Sequence, residues 1–355
     1  MESLTRDDLR AAVGAGVITE AQGAQLLALG EVRLGQRAAM AADDEPFELF
    51  RGFAEIFVSV GIILLFAGTL TMASVAGGAI LPAVTAGLAW VFALYFTRKR
   101  RMALPSIVIA IAFTGGVTGM LALLMGDLME RDQEGKAWVF VYLLLTAFAV
   151  ALYFRAFRVP FVALILGLLA MGMVFLAVDA IIPFGEFPGS FREAFDLRHG
   201  SGLPIASLAF GLLALGAGLW CDMKDPHRLG RWSATGFWLH ILAAPALVNT
   251  LALTAYNTGA VAGNILLAVA LAVVTVLALV IDRRSFLTAG IGYLGVLLAW
   301  AIGAGDSVAS FAGLLIALGA FLTFMGAKWT ELRARLMRTL PDFRGKDRLP
   351  PYAKA

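Results

Sequence analysis

The sequence predicts an all-α fold, a polytopic helical membrane protein of about ten spans, on three observations. Of 355 residues, 60% are hydrophobic and 15% charged, against about 45–50% and 25% for a soluble domain. The apolar residues fall in runs of about 20, the length a helix needs to cross a hydrocarbon core. Lys and Arg gather in every second connection between those runs, as the positive-inside rule requires. A transmembrane β-barrel would alternate apolar and polar residues instead.

The first 50 residues read as a short helical hairpin outside the membrane. Thr5 caps a helix running to about Val13, with Gly14 and Gly16 ending it, and Thr19 with Gln22 forms a capping box for a second helix through Leu26, Leu27 and Leu29. The N-terminus is charged and has no apolar core, so no cleavable signal peptide is expected.

Ten spans are expected at 56–77, 79–97, 102–126, 137–154, 159–181, 203–221, 233–254, 260–281, 285–304 and 307–326. One set of connections holds eleven basic residues: Arg98 to Arg101, Arg155, Arg158, Lys224, Arg228, Arg231, Arg283 and Arg284. The opposite set holds four, Arg131, Lys136, Arg192 and Arg198. This asymmetry puts both termini in the cytoplasm. Ala93-Leu94-Tyr95-Phe96 recurs as Ala151-Leu152-Tyr153-Phe154, each before a basic turn. Such a recurrence hints at an internal repeat, though charge topology alone can produce it.

Two outer connections have some length: an acidic one at 127–136, and one at 183–202. In the second, Ser190 and Glu193 make a capping box, and Phe187, Phe191 and Phe195 share a face suited to the membrane surface. After the last span, Lys328 to Leu340 reads as a basic amphipathic helix with Trp329, Leu332, Leu336 and Leu340 on one face. Arg333, Arg335 and Arg338 are placed to meet lipid headgroups, and a polar tail follows Pro341.

Catalytic motifs are weak. Gly303-Ala304-Gly305-Asp306 and Pro245-Ala246-Leu247 spell two motifs of intramembrane aspartyl proteases. Their order is reversed and the second intramembrane carboxylate is missing, so the shared-proton dyad cannot be assembled. Cys221 is the sole cysteine and there are three histidines, which excludes an intrachain disulfide and makes a thiolate or histidine metal site improbable. No cofactor, metal or nucleic-acid partner is expected. The expected partners are membrane lipids and a small solute or ion, and the sequence sets no oligomeric state.

The remaining candidates are polar groups inside the spans, which are costly in hydrocarbon. His240 lies about 5 Å from the centre of the seventh span, on the cytoplasmic side, and Asn249 about 8 Å to the other side. Nine residues apart, they face opposite ways. Pro245 breaks the hydrogen-bond ladder between them and is a candidate kink. His240 either serves a proton or ion path, or donates to the carbonyl of Ile241. Asn264 in the eighth span falls at nearly the depth of Asn249, and the pair is expected to bond across the two helices. Asp179 ends the fifth span. Pairs of small residues at Gly115/Gly119, Ala214/Gly218 and Gly313/Ala317 permit close helix contact.

Several stretches together resemble a bacterial family of predicted multi-pass inner-membrane proteins of unknown function. They are Gly16-Val17-Ile18-Thr19-Glu20-Ala21-Gln22, a glycine-rich first span, Gly126-Asp127 with Trp138, Trp238 through Pro245, and Asp282-Arg283-Arg284. The Asn-Trp often present after the first span of such proteins is absent. The resemblance implies an inner-membrane location and supplies neither substrate nor catalytic residue. Two functional readings follow: permeation or transport of a small solute or ion, and a non-transporting membrane scaffold. The many spans and the mid-membrane histidine favour the first, and the sparse intramembrane charge the second.

Overall fold

The computed structural model describes residues 5–33, 53–76, 78–131, 136–185, 190–226, 228, 230–301, 308–343, 345–350 and 352. Among these every regular element is helical. In chain order the α-helices are α1 (Arg6–Gly14), α2 (Glu20–Arg33), α3 (Phe53–Ala76), α4 (Ile80–Phe92), α5 (Ala103–Arg131), α6 (Lys136–Phe157) and α7 (Val162–Ile181). They continue as α8 (Phe191–Ala194), α9 (Gly202–Lys224), α10 (Arg231–Tyr256), α11 (Ala260–Ile281), α12 (Arg284–Ala301) and α13 (Val308–Thr339). Eight helices among the described residues are long and apolar enough to cross a membrane. The stretches expected as spans at 260–281 and 285–304 fall on the helices α11 and α12, with positions 302–304 outside the described residues, and neither helix is among those eight.

The chain divides into two compact units, residues 47–180 and residues 1–46 with 181–355. The first holds α3–α7. Its core is aromatic: Trp90 meets Phe157 edge-on at 4.9 Å, and Phe113 stacks on Tyr153 at 4.8 Å. Gly116 permits the closest backbone approach, since a Cβ there would stand 2.6 Å from the Ala86 nitrogen. That contact is one residue from the expected Gly115/Gly119 stripe. Glu55 of α3 is buried and accepts from the backbone N–H groups of Ala103 and Leu104 at 3.1 and 3.3 Å. It thereby satisfies two orphan donors at the start of α5, where the helix dipole favours a carboxylate.

The sequence recurrence within this unit does not extend to its environment. Tyr153 lies in an ordinary α-helix and is fully buried, whereas Tyr95 is 43% exposed on a π-helical turn over Ala93–Lys99. Tyr95 faces the charges of Lys99 and Arg100 instead. The two copies therefore do different packing work.

In the second unit α10 is the central helix, packed against α9, α11 and α12. That explains why residues on opposite sides of it, His240 and Asn249, are both buried. The chain runs as one helix through Pro245. The expected cap at Thr5 forms and is closed into a capping box by Asp8, and the expected capping box at Thr19 forms through Gln22. Ser190 caps α8, which lasts a single turn.

The end of the chain differs from the expectation. Residues 328–339 continue α13 without a break, and the buried face carries Trp329, Arg333 and Met337. Arg333 therefore points into protein and not toward headgroups, while Arg335 remains exposed. Among the described residues, the small-residue pair Gly313/Ala317 also makes no close contact at Gly313.

Candidate functional site

The antiparallel pair α9–α10 sets the geometry. Three glycines let the helices close on each other: Gly211 against Leu247, Gly218 against His240, and Gly236 against Asp222. Each step toward the C-terminus of α9 is matched by an equal step toward the N-terminus of α10. The expected Ala214/Gly218 contact is thus realised, and what it admits is the His240 ring. Further along the pair, the Ser207 hydroxyl donates to the Ala246 carbonyl at 2.8 Å.

At this junction His240 Nε2 lies 2.8 Å from Asp222 Oδ2. A carboxylate only accepts, so Nε2 carries the proton and Nδ1 is left with its lone pair. Nδ1 is buried and has no hydrogen-bond partner. Phe286 closes one side of the ring, edge-on at 6.0 Å. Arg283 clamps the same carboxylate: Nε donates to Oδ2 at 3.1 Å and Nη2 to Oδ1. Nη2 also donates to the Ser233 carbonyl at 2.8 Å and to its hydroxyl at 3.2 Å. Asp222 and Arg283 neutralise each other, so a neutral His240 keeps the triad uncharged, and each proton taken up on Nδ1 places one net charge in the interior.

Two further ion clusters adjoin the triad. Asp225 Oδ2 accepts from the N–H groups of Gly230 at 2.8 Å and Ser233 at 3.2 Å, serving as the cap that Gly230 itself cannot provide. Asp282 accepts from Trp329 Nε1 at 2.7 Å and pairs with Arg228 at 3.4 Å and Arg333 at 3.5 Å. Arg333 also donates to the Leu279 carbonyl at 3.1 Å and to the Pro350 carbonyl at 2.7 Å, tying in the C-terminal tail. Asp222, Asp225, Asp282, Arg228, Arg283 and Arg333 are each at most 4% exposed. Three acids thus balance three bases.

No family model, curated protein or solved structure matches this chain. The reading of the site rests on its geometry.

The expected candidates fare unequally. His240 is in the centre, but bonded to Asp222 and not to the Ile241 carbonyl. Pro245 lies five residues beyond it in the same helix. Asn249 is buried in α10, and the side chain of Asn264 lies outside the described residues, as does Asp306. Asp179 belongs to the α3–α7 unit, where Lys136 pairs with it at 2.7 Å. Asp222, Arg283 and Asp282 were not among the site candidates because they fall in basic connections, where charge reads as solvated. A signal was nevertheless present. Asp222, Asp225 and Asp282 are the acids in those four connections, and the positive-inside rule gives acids no reason to be there.

Proposed function

We propose that the chain is a ten-span protein of the bacterial inner membrane that passes a small solute or ion, with His240 as its protonatable step. Both termini lie in the cytoplasm under this reading, because basic residues favour that side by eleven to four. Its lipid contacts are the exposed apolar side chains of the spans. The observation that carries the reading is the His240 ring, held at Nε2 by Asp222 and bare at Nδ1 within a membrane-crossing helix. Ionisable groups at such positions mark substrate and proton paths by default. The buried acids and bases around it also weaken the argument from sparse intramembrane charge.

A specific observation favours the second reading, a non-transporting scaffold: five of the six buried charges of the junction pair with one another, and the sixth, Asp225, accepts backbone N–H groups. Reconstituted vesicles separate the two. The vesicles are loaded with a pH-sensitive dye and driven by a potassium potential, with small organic acids and inorganic salts outside. Transport predicts proton flux above that of protein-free vesicles, and His240→Gln lowers it to that background. Equal flux from wild type and from correctly folded His240→Gln refutes the role of His240. Wild-type flux at background supports the scaffold.

A further inference from the structure

The charges of the α9–α10 connection are sorted by depth. Asp222 and Asp225 are both buried, the first held by Arg283 and His240 and the second by the N–H groups of Gly230 and Ser233. Arg228 is buried with Asp282. Among the described residues of the connection, the charges left toward the outside are Lys224, exposed, and Arg231, half-buried. The stretch from 222 to 231 has two acids against three bases, yet its surface is basic.

Two tryptophans fix the exposed cation. Trp220 of α9 and Trp232 of α10 meet edge to face, with centroids 5.3 Å apart and planes at 84°. The Lys224 ammonium lies 3.7 Å from the centroid of the Trp220 ring and 4.7 Å from that of Trp232. The Arg231 guanidinium stands 5.8 Å from Trp232. Aromatic faces hold a cation in place without neutralising it. Among the described residues no carboxylate comes within ion-pair distance of Lys224.

Helix length sets the depth of this group. Lys224 ends one helix long and apolar enough to cross a membrane, Gly202–Lys224, and Arg231 opens the next, Arg231–Tyr256. In a bilayer such ends lie where hydrocarbon gives way to headgroups, the level at which indole rings settle. Trp220, one turn before Lys224, is 49% exposed. Phospholipid phosphates occupy the same level.

We infer that Trp220, Lys224, Trp232 and Arg231 form a site for the phosphate of an anionic phospholipid. The ammonium carries three N–H donors and has only aromatic faces against it, so a phosphate oxygen can approach from the open side. The indole rings then lie along the glycerol and upper acyl region. An anionic lipid is favoured over a zwitterionic one because a choline group would meet the same two cations. The site rests on the membrane location in the proposed function and is independent of transport.

The test is native mass spectrometry of the full chain, delipidated in detergent and titrated with phosphatidylglycerol or with phosphatidylcholine of the same acyl chains. Wild type is expected to bind one phosphatidylglycerol more tightly than phosphatidylcholine. Lys224→Gln should weaken that binding about fivefold, the factor one basic residue contributes near an anionic surface, and leave phosphatidylcholine unchanged. Trp220→Leu keeps the charge but loosens it, and should weaken phosphatidylglycerol by a smaller factor. Arg335→Gln removes an exposed cation that already has Glu331 at 3.8 Å, and should change neither lipid. Equal phosphatidylglycerol binding by wild type and Lys224→Gln overturns the site. An equal loss in Arg335→Gln does so too, because it would mark diffuse attraction to the surface. Displacement of phosphatidylglycerol by inorganic phosphate would mark a free-anion site and overturn the lipid as occupant. A chain that stays monodisperse without detergent would instead sink the membrane location itself.

Discussion

A Cβ built on Gly218 would stand 2.8 Å from Cε1 of His240 and 3.0 Å from its Nε2. The missing side chain of Gly218 is the space in which the imidazole lies, and Asp222, one turn further along α9, accepts the hydrogen bond from its Nε2–H. A glycine in a membrane helix here positions a titratable ring as well as allowing two helices to meet.

Gly218→Ala should therefore push the ring away from Asp222. The overpacking costs about 1–3 kcal/mol. Thermal unfolding in detergent measures the loss, and the imidazole C–H resonances of His240 should shift. Gly216→Ala, two residues earlier with open space around it, should be neutral or slightly stabilising. Equal effects at the two positions would show that the contact does not position the ring.

A second tie fixes the far end of α10. Asp196 is fully buried and accepts from Asn257 at 2.9 Å and from Arg198 at 2.7 Å. Burial pushes its carboxyl up, but the Arg198 and Asn257 hydrogen bonds outweigh that and hold it down at about 2. A depressed carboxyl contributes stability that is complete above the ordinary value and lost as pH falls through the folded one. Melting temperature should then drop between pH 3.8 and about 2, and Asp196→Asn should remove that part of the drop. An identical acid profile in the variant would refute the assignment.

How much of this was legible follows from the kind of signal each feature carries. Apolar run length and the Thr5, Thr19 and Ser190 caps are local properties, and the helices appear where those residues place them. His240 stood out because an imidazole is anomalous in an apolar run. Its partners did not, because pairing is a tertiary property. Arg228 and Arg283 obeyed the charge rule for loops and so raised no question, yet both are buried. Arg333 was assigned to the wrong face because its partner, Asp282, lies 51 positions away in the sequence.

Glu55 tests the same lesson in the other unit. Glu55→Gln keeps an oxygen facing the Ala103 and Leu104 N–H groups and loses only the charge at the helix start. Glu55→Ala leaves both donors bare. The alanine variant should cost about 1–2 kcal/mol, as lost helix caps do, and the glutamine variant clearly less. Amide exchange at Ala103 and Leu104 should rise in the alanine variant alone. Equal losses would show that charge, not hydrogen bonding, is what α5 takes from Glu55.

The triad itself is best tested by removing its charges singly and together. Asp222→Asn leaves the Arg283 guanidinium buried without its counter-ion, and Arg283→Gln leaves the Asp222 carboxylate in the same position. Breaking a buried pair from one side costs about 3–5 kcal/mol. Removing both charges leaves an amide pair of similar size, so the double variant should cost well under the sum of the two. The single variants should also differ from each other. In Arg283→Gln, the carboxylate still has His240 at 2.8 Å, and a proton taken up on Nδ1 restores the balance. Its stability should therefore improve on acidification more than that of the wild-type protein, and a pH-stat should register the extra proton. In Asp222→Asn the uncompensated group is already positive, and a proton on His240 would add to it. No acid rescue is expected there. Matching pH profiles for the two single variants would mean that His240 does not exchange protons with the medium, which would remove the central step of the transport reading.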